Sequence, residues 1–142
     1  SKEILVYPSL SPILDSSIQQ LAASDYIEGI KCFYINANKA AATMFRRSLQ
    51  QIMIDKGASG KRLVDQINDL RNKRIITDDL ADWANEIRFL GNDGAHPVDD
   101  GLDEIDSEEI NQIIEFINGL FQYIYVMPAK VAQSRLRRVS DQ

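Results

Sequence analysis

Residues 87–97 hold the densest chemistry of this 142-residue chain: Arg88, Asn92 and His96, a permanent cation, an amide and the single imidazole. These three types suit phosphodiester cleavage without a metal. The imidazole would take a proton from a ribose 2′-hydroxyl or give one to the leaving oxygen. The guanidinium would stabilise the charge on the phosphorane. A structural reading stands beside this one. Asn92 and His96 can cap open carbonyls at a helix end, Gly94 can supply a positive φ, and Arg88 can pair with a neighbouring carboxylate. A lone histidine is more often structural than catalytic, so the spacing alone favours the second reading.

Other chemistry is sparse. No GxGxxG or GxxxxGK[ST] run occurs, so no nucleotide-phosphate loop is indicated. His96 with Asp93, Asp99 and Asp100 could in principle meet a metal, but the acidic loop lacks EF-hand spacing. Neither a metal centre nor a cofactor is expected. Cys32 sits beside Phe33 on an apolar face and reads as core. Arg46 and Arg47 are candidate binding residues. One of them must reach the bundle edge, to meet a carboxylate or the 91–96 loop, with a solvated face as the plainer alternative.

The elements that position these groups read as helices throughout. Apolar residues recur at three and four over 25–35, a stretch that could extend from 13–23 with Ser11 as cap and Pro12 in the first turn. A second helix covers 38–56 and stops at Gly57, a left-handed cap. A third covers 61–72. A fourth starts at the Thr77 cap, with Asp78 and Asp79 in its first turn, and runs to Gly91. Residues 91–106 read as loop. A fifth helix opens at Asp106 in a capping-box-like pattern and runs to Met127, ahead of Pro128. Its apolar set, Ile110 through Tyr125, covers more than one stripe and needs two partners. One face is therefore expected to form a homodimer interface through 106–127. The fold expected is an all-α bundle of four to five main helices in one domain. Its core would span about 7–128, with 129–142 as a basic helix or tail.

Charge is distributed in blocks. Over 46–74, eight basic residues stand against three aspartates, a net of +5; over 77–109, twelve acids stand against Arg88, a net of −11. From 110 onward the balance is +2, and the whole chain carries −5. A net acidic chain is a poor sequence-independent binder of nucleic acid. Pairing of opposite blocks within the fold or across a dimer is the expectation. Hydrophobic residues at 44% and charged residues at 26% exclude a disordered chain. No apolar run is long enough to span a membrane. One cysteine cannot form an internal disulfide, which points to a reducing, cytoplasmic setting. The first residue, Ser1, fits a piece cut from a longer chain.

Four stretches together resemble a known family. They are 40–49 with Arg46 and Arg47, 76–83 ending in Trp83, the run of Arg88, Gly91, Asn92, Gly94 and His96, and a long apolar helix ending at Pro128. The chain resembles the bacterial domain of unknown function numbered forty-one forty-five, a helical family akin to the HEPN superfamily, over about 7–128. The resemblance implies a restriction or anti-phage defence context, dimerisation, and no settled activity. Active HEPN ribonucleases carry an arginine, four to six residues, then a histidine. Here seven residues separate Arg88 from His96, while Asn92 and His96 keep a polar-x3-His spacing.

The function expected is thus a non-enzymatic HEPN-like module that dimerises or docks within a larger defence or nucleic-acid-processing protein. The alternative is a metal-independent endoribonuclease built on Arg88, Asn92 and His96. A third reading has the 46–74 block binding RNA or a nucleotide without cutting it.

Overall fold

The computed structural model describes residues 14–87, 90 and 105–141. Helix α1 is Gln20–Tyr34, α2 Asn38–Asp55, α3 Leu63–Asn72, α4 Asp78–Glu86 and α5 Ser107–Phe121. A π-helical turn, Gln122–Val126, leads into α6, Met127–Ser140. No strand occurs among the described residues, and the chain is all-α.

Side-chain caps start three of these helices. The amide of Ala22 donates to Gln19 Oε1 at 2.7 Å, that of Leu80 to Thr77 Oγ1 at 3.1 Å, and that of Glu109 to Asp106 Oδ1 at 2.8 Å. Asp78 and Asp79 in α4, and Glu108 and Glu109 in α5, place carboxylates at the positive end of the helix dipole. The helix expected over 13–23 does not run unbroken. Ser17 donates from both its amide and its hydroxyl to Asp15 Oδ1, which holds 15–18 in a turn, and α1 begins only at Gln20.

Three helices end in the same way. After α2, Gly57 has φ +64°, its amide donates to the Ile54 carbonyl, and the Ala58 amide donates to the Met53 carbonyl. These two hydrogen bonds are the Schellman closure, and they use the Gly57 cap expected from sequence. Asn36 (φ 63°) closes α1 through Ala37 and Cys32, and Arg74 (φ 60°) closes α3 through Ile75 and Leu70. Arg74 holds a left-handed conformation that its Cβ opposes. Arg74→Gly is expected to stabilise the fold by about 1 kcal/mol, read as a rise in the urea midpoint at unchanged slope. A lower midpoint would mean that the Arg74 side chain contributes more than its backbone strain costs.

The three-residue connection 35–37 folds α1 back on α2 as a helical hairpin. Small buried residues, Ala22, Ala41 and Ala42, let the two helices approach closely. Opposite Gly29 lies Phe45; a Cβ built on that glycine would stand 2.6 Å from the ring. Between the two helices Ser48 Oγ donates to the Ala22 carbonyl at 2.7 Å. The Tyr26 ring packs tilted against Phe45 and edge-on to Phe121, joining the hairpin to α5.

Helix α5 and its π turn bury Ile110, Ile113, Phe116, Ile117, Leu120, Phe121, Ile124, Tyr125 and Val126 inside the chain. It meets α2 on one side and α4 on the other, where Gly119 admits Leu80. Most of the apolar set that suggested a subunit interface on 106–127 is covered by the protein's own helices, while Ile114 is half-buried and Tyr123 and Met127 are exposed. Helix α4 ends at Glu86, earlier than the expected Gly91, because Ile87 turns to extended backbone while its side chain stays buried.

The stop expected before Pro128 does not occur. Proline lacks the amide that an α-helix would need there. It sits in the first turn of α6, where that amide is dispensable, just after the π turn. No residue of α6 is buried. Met127 (53%), Val131 (48%), Leu136 (69%) and Val139 (70%) are all exposed.

Candidate functional site

Arg88, Asn92 and His96, with Gly91 and Gly94, lie outside the described residues. The described residues that bracket them, Ile87, Leu90 and Ile105, are buried in the common core.

The two consecutive arginines of α2 have different fates, since neighbouring helical residues point about 100° apart. Arg47 is exposed, and its Nε stands 3.7 Å from Asp25 Oδ2 on α1. It is the arginine that reaches the edge and meets a carboxylate, one of the outcomes expected from sequence. Arg46 is half-buried, its Nε is shielded from solvent, and it is engaged within the protein.

Five of the eight cations of the 46–74 block meet a carboxylate among the described residues, but three of those aspartates are already counted in the net of +5, and only Asp25 and Asp82 reduce it further. Lys73 Nζ lies 2.8 Å from Asp69 Oδ2, Arg62 Nε 3.1 Å from Asp65, Lys56 Nζ 3.7 Å from Asp55 and Arg71 3.9 Å from Asp82. Only the last of these links the basic block to the acidic one among the described residues. The expected pairing of opposite blocks is thus seen at one contact among the described residues; the other paired 46–74 cations meet their own aspartates or Asp25. Asp69 also accepts from the Ser59 amide, and Lys73 donates to the Gly57 carbonyl, so this cluster pins the 56–62 loop. The Lys73 ammonium holds the Asp69 carboxyl below its ordinary value, with help from Ser59. Exposed pairs of this kind add little stability each. Their effect here is to lower the net positive field that a phosphate backbone would meet.

A second polar group was not visible in sequence. Tyr125, on the π turn, donates its hydroxyl to Asp55 Oδ2 at 2.7 Å, across 70 residues of chain. Lys56 Nζ sits 4.8 Å from the centroid of the same ring. Burial comes first in pushing the Tyr125 hydroxyl well above its ordinary value, followed by its hydrogen bond to Asp55 and the carboxylate charge. The one available signal was general: a buried tyrosine on an apolar helix needs a partner for its hydroxyl. Nothing at short range named Asp55.

Beside this group lies an open groove of about 520 Å³, lined by Lys56, Ile75, Tyr123, Ile124, Met127 and Val131. It joins the bundle to the exposed side of α6. Another opening, about 770 Å³, lies at the α1–α2 turn, where Cys32 is half-buried rather than fully in the core and Lys39 and Thr43 line the rim. Among the described residues no three His, Cys, Asp or Glu side chains gather as metal ligands. None of the described helices is long and apolar enough to cross a membrane.

With this geometry in place, the family comparison is decisive. Residues 28–139 match the family described as Domain of unknown function (DUF4145). The chain belongs to DUF4145. The DUF4145 match starts within α1 and runs to Val139, so it takes in Arg46, Arg47, the Tyr125–Asp55 pair and nearly all of α6. The sequence resemblance had ended near Pro128; α6 is part of the DUF4145 region and not an appended tail. No curated protein and no solved structure shows significant similarity to the chain.

Both Tyr26 and Tyr125 are held protonated above the ordinary value of 10.0, chiefly by burial. An unfolded chain would ionise both near that value, so the stability they carry is complete below it and is lost as pH rises beyond it. Tyr125→Phe is expected to flatten this alkaline limb and to cost about 1–2 kcal/mol near neutrality, by removing the donor to Asp55. Thermal melts from about pH 8 to about pH 11 check both. An unchanged alkaline slope would remove Tyr125 from this account.

Proposed function

We propose that this DUF4145 chain is a non-enzymatic, HEPN-like docking module of a bacterial, cytoplasmic defence or nucleic-acid-processing system. The observation that carries the reading is α6. A 14-residue helix inside the family's matched region buries none of its residues and exposes Met127, Val131, Leu136 and Val139. Exposed aliphatics on a helix none of whose residues is buried mark a surface for another molecule. Arg47 and Arg71 of the 46–74 block meet carboxylates from outside it, Asp25 and Asp82, which supports the same reading by lowering the charge that would hold RNA.

The endoribonuclease reading is the one to exclude by experiment. The purified protein is incubated in EDTA with single-stranded and structured RNAs, beside His96→Ala and Arg88→Ala. The expected result is no cleavage by any of the three, with His96→Ala lowering stability by about 1–2 kcal/mol through partners left unsatisfied. Cleavage by the wild type alone, leaving cyclic-phosphate ends, would replace the docking module by a metal-independent ribonuclease.

A further inference from the structure

We infer that the molecule docking on α6 is a second copy of this chain, which receives the helix on the acidic face of α4. The inference rests on the docking reading above and adds the partner.

Helix α6 carries Lys130, Arg135, Arg137 and Arg138, all exposed. Lys130 is close enough to Asp15 of its own chain to be felt there. The three arginines pair with no carboxylate among the described residues. At about 100° per residue, Arg135 and Arg138 fall on the same half of the helix as Met127, Val131 and Val139. The partner surface must then offer carboxylates next to apolar groups. A bilayer suits a helix whose charges are segregated from its apolar side, which α6 is not. Single-stranded nucleic acid is gripped by aromatic stacking, which methionine, valine and leucine do not supply.

The chain itself offers a surface of the required kind. On α4, Asp78, Asp79, Asp82 and Glu86 fall within about 100° of arc, and all four are exposed. Trp83 lies half-buried about 40° beyond the edge of that arc, while Leu80 turns inward to Gly119 of α5. Only Asp82 meets a base, Arg71, and only at 3.9 Å among the described residues. Charge complementarity therefore pairs α6 with α4. It does not pair α6 with α6, which would bring four cations against four. No residue of α6 is buried, and α6 does not pack closely on α4 of its own chain, so that helix is not the occupant. When each copy lays α6 on the other's α4, the exchange closes as a twofold dimer and leaves no open end.

The test uses sedimentation equilibrium of the whole chain at tens of micromolar, in about 50 mM and about 500 mM salt. A dimer that weakens at least tenfold at the higher salt is expected. Two charge-reversed variants follow, Arg135→Glu with Arg138→Glu and Asp82→Lys with Glu86→Lys, each checked by circular dichroism. Each variant alone is expected to be monomeric, because like charges then face each other. Mixed one to one they are expected to dimerise, because both contacts are then of opposite sign. Val131→Asp with Val139→Asp, both on that face of a helix outside the core, should abolish the dimer with an unchanged melt. A wild-type monomer at low salt would overturn the inference, as would a dimer indifferent to either reversal or a mixture that stays monomeric. An RNA complex lost on Arg135→Glu with Arg138→Glu, without any dimer, would overturn it in favour of nucleic acid. A monomer that cleaves no RNA removes this inference alone; RNA cleavage by a dimer removes the non-enzymatic reading alone.

Discussion

Gly29→Val is expected to destabilise the protein by about 3 kcal/mol, at the upper end of what an overpacked core costs. A Cβ at that position would lie 2.6 Å and 2.7 Å from two ring carbons of Phe45, closer than van der Waals contact permits. Phe45 has no solvent exposure, and Tyr26 packs on it with ring centroids 5.6 Å apart, so the ring has nowhere to retreat. The α1–α2 hairpin must open to admit the new side chain. Urea unfolding monitored by far-ultraviolet circular dichroism measures the loss. Combining Gly29→Val with Phe45→Leu should recover part of it, since the two sites are in contact and their effects cannot add. An undiminished loss in the Phe45→Leu background would show that the ring is not the obstacle.

Phe116→Ala is expected to cost about 4 kcal/mol, the usual range for emptying a fully buried aromatic site. Phe116 is completely buried on α5, and the Trp83 ring meets it edge-on, with centroids 5.7 Å apart and planes at 82°. Removing it takes from α4 one of the contacts that hold it against α5. Trp83 is the only tryptophan, so its emission reports on this interface directly. A red shift before global unfolding is expected, as α4 loosens ahead of the α1–α2 hairpin. A single transition, unchanged in midpoint, would contradict the packing described for this pair.

The readable parts of the fold were those governed by local chemistry. The Thr77 and Asp106 side chains announce helix starts because each places an acceptor near amides that no other group serves. Gly57 announces the end of α2 because glycine alone enters the left-handed region without opposition. Asn36 and Arg74 end helices in the same conformation. Asparagine enters it more readily than other side chains, so Asn36 was a signal left unread, whereas arginine gives none.

The apolar excess of α5 was legible as a demand for two neighbours. Whether those neighbours belong to the same chain is a tertiary question, and α2 and α4 answer it. Of the candidate site residues, Arg47 behaves as its helical phase requires, meeting Asp25 at the edge of the hairpin. Arg88, Asn92 and His96 lie outside the described residues. The Tyr125–Asp55 contact was beyond any local signal because it joins positions 70 residues apart.

The turn at Gln122–Val126 sets an angle as well as a path. Its three consecutive residues Ile124, Tyr125 and Val126 are all buried, a pattern that a regular α-helix with a single buried stripe does not present. The wider turn takes up one residue more than an α-turn would, so it absorbs that residue without carrying a change of phase into α6. Losing one residue there would let the turn close as ordinary α-helix, with Met127, Val131 and the arginines still on nearly the faces they hold now. The same loss within α6 has no wide turn to absorb it and would rotate every side chain beyond it by about 100° around the helix axis. The turn is therefore the one place where this helix tolerates a change of length without being redirected.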